Sequence, residues 1–284
     1  MNEDMPALKR THSRFGRFGR FGRSRFRYDH HWWGESPSTA ADQTGYWAST
    51  RRPLPCLAFV LPLLLAYEVG LAWLGGPSSD ALRAGADTWI RRALSSIGLT
   101  DRWLLPFFLT SSLLAWQALD RRDWRFHPLI LGGMVVESLI LAVALIGLGK
   151  LVDLGFVRLD GPLLTTRTLT TSSVAAPLIG FIGAGIYEEA LFRLASIPLL
   201  YGLLKLVMIP PLPACTLAIT ASSLLFSLAH HAGAPGEVFT LFAFVFRWLA
   251  GVFFAYVFVA RGFGVVVGTH SAYDLLVGWG DVHF

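Results

Sequence analysis

Apolar runs long enough to cross a hydrocarbon core of about 30 Å, roughly 20 residues each as helix, recur near residues 54–74, 103–119, 128–149, 173–192, 194–213, 214–231, 238–260 and 262–280. The runs are continuous and hold few turn residues, unlike the roughly ten-residue alternating segments of an outer-membrane barrel. Helices also satisfy their own backbone in lipid. The pattern predicts an all-α fold, a polytopic transmembrane bundle of about eight helices. Between the first two runs, residues 81–97 have the spacing of an amphipathic interfacial helix.

Composition agrees with the pattern. Of 284 residues, 54% are hydrophobic and 15% charged, a balance that a soluble domain of this size would struggle to keep in solution. The two cysteines, Cys56 and Cys215, fall near run ends and suggest neither a disulfide framework nor a thiol metal site.

Charge separates a tail from the bundle. Residues 9–27, KRTHSRFGRFGRFGRSRFR, hold eight Lys or Arg and no acid, so the chain's net charge of +5 becomes −3 without them (5 − 8). The Arg-Phe-Gly triplets lack the apolar periodicity of a core, so residues 1–52 read as a basic, disordered cytosolic tail and 53–284 as the membrane domain. The tail's Arg and Phe suit anionic lipid head groups or RNA. A positive-inside signal is the plainer reading, with nucleic acid not expected as a partner. With the tail cytosolic, eight crossings return the basic stretch Asp120–His127 to the same side. The fourth, sixth and eighth runs then descend in parallel, placing Glu188 and His230 near the cytosolic face.

Charges at bilayer depth are costly and mark functional candidates. Those in or near the runs are Glu68, Glu137, Glu188, Glu189, Arg193, Lys205, Arg247 and Asp274, with His230, His231 and His270 the histidines within reach. Glu189 and Arg193 stand at i, i+4, the spacing of an ion pair, which leaves Glu188 as a free carboxylate suited to general-base work. The plainer reading is a helix leaving the membrane at this point. Phe226 and His230, and His270 and Asp274, repeat the i, i+4 spacing on two further helices. Arg247, in mid-run, is expected to pair with Glu137 or Glu68.

Three strings in order, EEALFR (Glu188, Glu189, Arg193), FSLAH (Phe226, His230) and HSAYD (His270, Asp274), resemble the EExxxR, FxxxH and HxxxN/D motifs of the CPBP intramembrane proteases. That family includes type II CAAX prenyl endopeptidases and bacteriocin-processing and immunity proteins. The motifs cover roughly 173–280; the first 150 residues add little. The resemblance implies an intramembrane endopeptidase acting on a membrane-associated peptide or protein. It casts Glu188 as general base for a water, His230 as its positioner, and His270 with Asp274 at the oxyanion, with Glu189, Arg193 and Phe226 supporting. An aspartate at 274 departs from the asparagine form, since an ionised carboxylate cannot donate to an oxyanion.

No HExxH string occurs, and no cofactor is required by this reading. If zinc bound, Glu188, His230 and His270 would be its acceptable ligands. Rival classes are a non-catalytic membrane scaffold or immunity protein of the same fold, a transporter using the intramembrane acids, and a haem protein. The implied location is an integral membrane protein of the plasma (inner) membrane, with the amino terminus and active site towards the cytosol.

Overall fold

A computed structural model of the chain describes residues 45–75, 82–120, 123–160, 175–232 and 238–279. Expectations for the tail before residue 45, and for Arg121 and Arg122, lie outside those residues. All regular structure among the described residues is helical: α1 (Tyr46–Ser49), α2 (Pro53–Gly75), α3 (Gly85–Ser95), α4 (Leu104–Asp120), α5 (Leu129–Asp160), α6 (Ala175–Glu189), a π-helical stretch (Ala190–Ser196), α7 (Ile197–Leu206), α8 (Pro211–Ala229), α9 (Leu241–Arg261) and α10 (Phe263–Trp279). This is the polytopic helical bundle expected from the pattern. Five helical runs, Pro53–Leu74, Leu129–Phe156, Ala175–Leu206, Pro211–Ala229 and Leu241–Arg261, are long and apolar enough to cross a membrane. The helices α4 and α10 are shorter, at 17 residues each.

One partition differs from the sequence expectation. The runs placed at 173–192 and 194–213 are a single continuous helix, Ala175–Leu206, because nothing between Glu189 and Ile197 breaks the backbone ladder. The break comes later, where Met208 takes φ 63° ahead of Pro210 and Pro211. Proline restricts its predecessor and starts helices well at the first positions. Merging two crossings into one keeps the direction of the helix carrying Glu188 but puts that residue mid-helix, and it reverses every later helix, His230's included, relative to the eight-run order.

The centre of the bundle is α10, which packs on α2, α5, α6 and α9. Phe263 to Ser271 are all buried, Val265, Val266 and Val267 fully so, so the first half of this helix has no lipid face, as expected of a stretch apolar all round. Outside, Leu65, Val69, Ile140, Leu154 and Leu203 are exposed, giving the surface an apolar coat suited to a bilayer.

Close approach of α6 and α10 rests on Gly185. A Cβ there would fall against Ser271, 2.8 Å from its backbone nitrogen. Small residues at such contacts let helices meet without a hydrophobic drive between them. Gly185→Val is expected to force α6 off α10 and cost about 1–3 kcal/mol, read as a lowered melting temperature in detergent; an unchanged value would show that the contact is not tight.

At the end of α9 the chain reverses through Gly262, whose φ of 90° suits glycine and whose Cα faces the Arg51 and Thr50 backbone. Beside it, α1 lies within the segment read as tail, yet it is fastened to the bundle. Tyr46 donates to Glu137 Oε2 (2.7 Å), Arg261 pairs with both Glu137 oxygens, and the Arg261 guanidinium lies 3.7 Å from the Trp47 ring centroid. Burial and the Glu137 contact push the Tyr46 phenol up to about 12, so it stays a donor.

Arg261, not Arg247, is therefore the partner of Glu137. Glu68 is taken by Arg83 (3.8 Å), Arg91 (3.6 Å) and the Tyr187 hydroxyl (3.1 Å). The charge of Arg247 acts instead on His230, Tyr273 and Asp274. The pairing expected for Arg247 fails because Arg261, at the far end of the same helix, reaches Glu137 first. The amphipathic stretch expected at 81–97 forms α3, and it does more than lie on a surface. Its Asp87 is fully buried, accepting from Tyr67 (2.8 Å), Arg83 (2.8 Å) and Arg91 (2.6 Å).

Candidate active site

Glu188 and Glu189 sit in the middle of the Ala175–Leu206 run, where the α-helix passes into the π-helical stretch. A π turn inside an α-helix is rare and occurs mostly at functional sites. Here the freed backbone is taken up by neighbours: Ser196 Oγ donates to the Leu191 carbonyl (2.7 Å), and Ser222 Oγ on α8 donates to that of Phe192.

The wider turn carries Arg193 into the core. Its Nε lies 3.2 Å from Glu189 Oε2, and both side chains are fully buried. Nη2 donates to the Gly251 carbonyl of α9 (3.1 Å), and the guanidinium lies 4.4 Å from the Phe226 ring centroid and 5.4 Å from that of Phe254. A planar cation between aromatic faces gains from their quadrupoles when water is excluded. The i, i+4 ion pair read from the sequence is present, with a further consequence.

Glu189 has a second oxygen, and Oε1 lies 2.7 Å from His270 Nδ1. A carboxylate held ionic by Arg193 only accepts, so Nδ1 carries the proton and Nε2 is turned into the site. The ring is also stacked on Phe254, at 4.5 Å between centroids and 15° between planes. His270 is fixed at one edge by hydrogen bonding and on one face by packing. Neither contact was legible beforehand. A carboxylate's capacity for two partners was the available signal for the first, and nothing distinguished Phe254 from the other aromatic residues of α9.

His230 follows the last residue of α8, and its Nδ1 lies 2.8 Å from the Phe226 carbonyl. A carbonyl only accepts, so Nδ1 again donates and a neutral ring presents the Nε2 lone pair. The Phe226 ring abuts both imidazoles, 4.7 Å from His230 and 6.0 Å from His270. The two Nε2 atoms then flank Glu188, at 3.7 Å (His230) and 3.9 Å (His270) from Oε2. Asp274 Oδ2 stands 3.5 Å from His270 Nε2. Oε2 of Glu188 is buried and has no hydrogen-bond partner among the described residues.

All seven residues singled out in the three motifs thus meet in one place. The cluster has a closed floor, with Glu189 and Arg193 fully buried and His270 nearly so, and a wetter rim, where the side chains of His230 and Asp274 are 25% and 22% exposed.

As to metal, among the described residues no group of three or more His, Cys, Asp or Glu is arranged to hold an ion. The 3.7 and 3.9 Å separations are wider than the ~3.3 Å between two tetrahedral ligands at ordinary zinc bond lengths.

The two ends of α9 meet different parts of the fold. Arg261 and Gly262, at one end of α9, touch α1 and Arg51. His230 lies by the opposite end, next to the helix where Ser227 donates to Phe244 O. The two ends are roughly 20 Å or more apart along a helix rising 1.5 Å per residue. Among the described residues, the tail junction at Trp47 and Arg51 and the rim at His230 thus lie by opposite ends of α9.

Fold and cluster together define a polytopic helical membrane protein with carboxylates and imidazoles gathered between its helices. Residues 170–276 match the family model described as type II CAAX prenyl endopeptidase Rce1-like. The matched segment contains all three motifs and agrees with the resemblance to the CPBP proteases that they carry. No curated protein and no solved structure matches the chain.

Proposed function

We propose that the protein is a metal-independent intramembrane endopeptidase in which Glu188 activates a water. The observation that carries this reading is the buried, unpartnered Oε2 of Glu188 between two ring nitrogens. Gaps of 3.7 and 3.9 Å are too long for direct hydrogen bonds and leave the carboxylate oxygen open to a small donor.

In this mechanism water donates one hydrogen to Glu188 and the other to the His230 lone pair. Its oxygen attacks the scissile carbonyl as Glu188 takes the proton. The oxyanion forms against His270, whose Nε2–H donates to it while Nδ1–H stays on Glu189. Asp274 balances the charge of a doubly protonated His270, a role open to aspartate even though it cannot donate. Glu188 then returns its proton to the leaving amine as the C–N bond breaks. Fixed donors of this kind act strongly where water is excluded.

The test is cleavage of a membrane-anchored peptide library by the purified protein in detergent, read by mass spectrometry with and without chelator. Cleavage that persists with chelator and is lost in His230→Ala supports the reading. Cleavage abolished by chelator and restored by zinc would move the site to metal chemistry. The absence of cleavage from folded protein would favour a non-catalytic scaffold of the same fold.

The geometry supports a reading of the substrate side of the membrane. Arg52 donates to the Asp123 carbonyl (2.6 Å), so the basic loop after α4 and the tail junction share one end of the bundle. Positive residues favour the cytosol. The exposed rim of the site then opens towards the other face, and the substrate bond lies at or within the outer half of the membrane. In a variant lacking Cys56 and Cys215, a cysteine at position 231 is expected to react with membrane-impermeant maleimide on intact cells, and one at position 52 only after lysis. The reverse pattern would place the site on the cytosolic side.

A further inference from the structure

A cavity of about 360 Å³ lies between α3, the turn after it and the start of α4, away from the protease cluster. Four guanidinium groups line it: Arg83, Arg91, Arg92 and Arg102. Asp101 is the lone acid of the lining, and its Oδ1 already accepts from the Trp103 backbone (2.7 Å). Asp87 and Glu68, behind the wall, balance Arg83 and Arg91. Among the described residues, that leaves Arg92 and Arg102 as surplus positive charge at the mouth. Thr100 adds a hydroxyl, the Thr88 and Ser95 hydroxyls already donate to the Ala84 and Arg92 carbonyls, and leucines complete the lining.

The surroundings give the level in the membrane. Trp103, Phe107 and Phe108 are exposed on the same segment, as is Ile97, and Arg102 lies 5.0 Å from the Trp103 ring centroid. Tryptophan beside arginine, followed by an apolar outward face, is the arrangement of a head-group boundary. A cavity rich in guanidinium, walled partly by leucine and open at this level, matches a phosphate group carried on an apolar tail. Guanidinium forks fit phosphate oxygens in pairs.

We propose that this cavity binds a phosphate group, supplied by the head group of an anionic phospholipid. It is also linked to the cluster. Arg83 and Arg91 reach Glu68 at 3.8 and 3.6 Å, and Glu68 accepts from Tyr187, the residue next to Glu188. Occupancy would brace that chain of contacts, a consequence that rests on the protease reading, whereas binding does not.

The experiment is native mass spectrometry and thermal unfolding of the full chain in phosphatidylcholine micelles or nanodiscs, with and without phosphatidylglycerol, comparing wild type with Arg92→Glu/Arg102→Glu. Wild type is expected to retain phosphatidylglycerol and melt higher with it, the double variant to bind it at least ten-fold more weakly while melting normally in phosphatidylcholine. Inorganic phosphate alone, at millimolar concentration, is the second arm. If it raises the melting temperature of wild type but not of the variant, the phosphate site stands and free phosphate is its source. Binding that survives in the double variant belongs to the basic tail and overturns the proposal, as does a failure of either probe to bind wild type. Peptide cleavage is measured separately, so loss of lipid binding with cleavage intact leaves the protease reading untouched.

Discussion

Glu188→Gln protein, inserted and folded like wild type, is expected to lose peptide cleavage by a factor of about 10²–10⁴, the usual contribution of a positioned general base. The amide keeps the shape of the side chain and its place between the two imidazoles, but it cannot take a proton from water. A change confined to the maximal rate, with substrate affinity retained, is the expected signature, because the base acts in the transition state. Single-turnover kinetics on one cleaved peptide would read it. Cleavage within two-fold of wild type would remove Glu188 from the chemistry and turn attention to Asp274, the other partly accessible acid of the cluster.

Arg193→Met is expected to be the most damaging substitution for the fold. Arg193 and Glu189 are fully buried, and deleting one partner of such a pair leaves an uncompensated charge, at a cost of about 3–5 kcal/mol. The same change removes the hydrogen bond to Gly251 and the cation between Phe226 and Phe254. Thermal unfolding in detergent should show a large drop. Adding Glu189→Gln should recover part of it by removing the stranded carboxylate. Activity should stay low in the double variant, since His270 would no longer be held through Nδ1 by a carboxylate. A single variant as stable as wild type would mean that Glu189 is neutral in the fold.

Much of this was legible in the sequence. Apolar runs set the helices, and the i, i+4 spacing of Glu189 and Arg193 marked a pair that the structure contains. Three short strings, spread over three helices, picked out residues that meet within 4 Å. What the pattern could not supply was partition and direction. A hydropathy run says that a segment is apolar, and a 32-residue helix has the same signature as two short crossings with a turn between them. The absence of Gly or Pro between Glu189 and Ser196 was the available hint, and the π-helical stretch there has no composition signal at all. Arg247 shows a second limit. Depth along a helix does not say which neighbour a long side chain reaches, and Arg261, which falls between two of the apolar runs, holds Glu137 instead.

The join between α1 and the bundle has a bearing on control. Tyr46 and Trp47 are clamped by Glu137 and Arg261 beside Gly262, so whatever precedes them emerges at that end. That junction and His230 stand by opposite ends of α9, so a pull or push on Tyr46 and Trp47 reaches the cluster only along the helices between them.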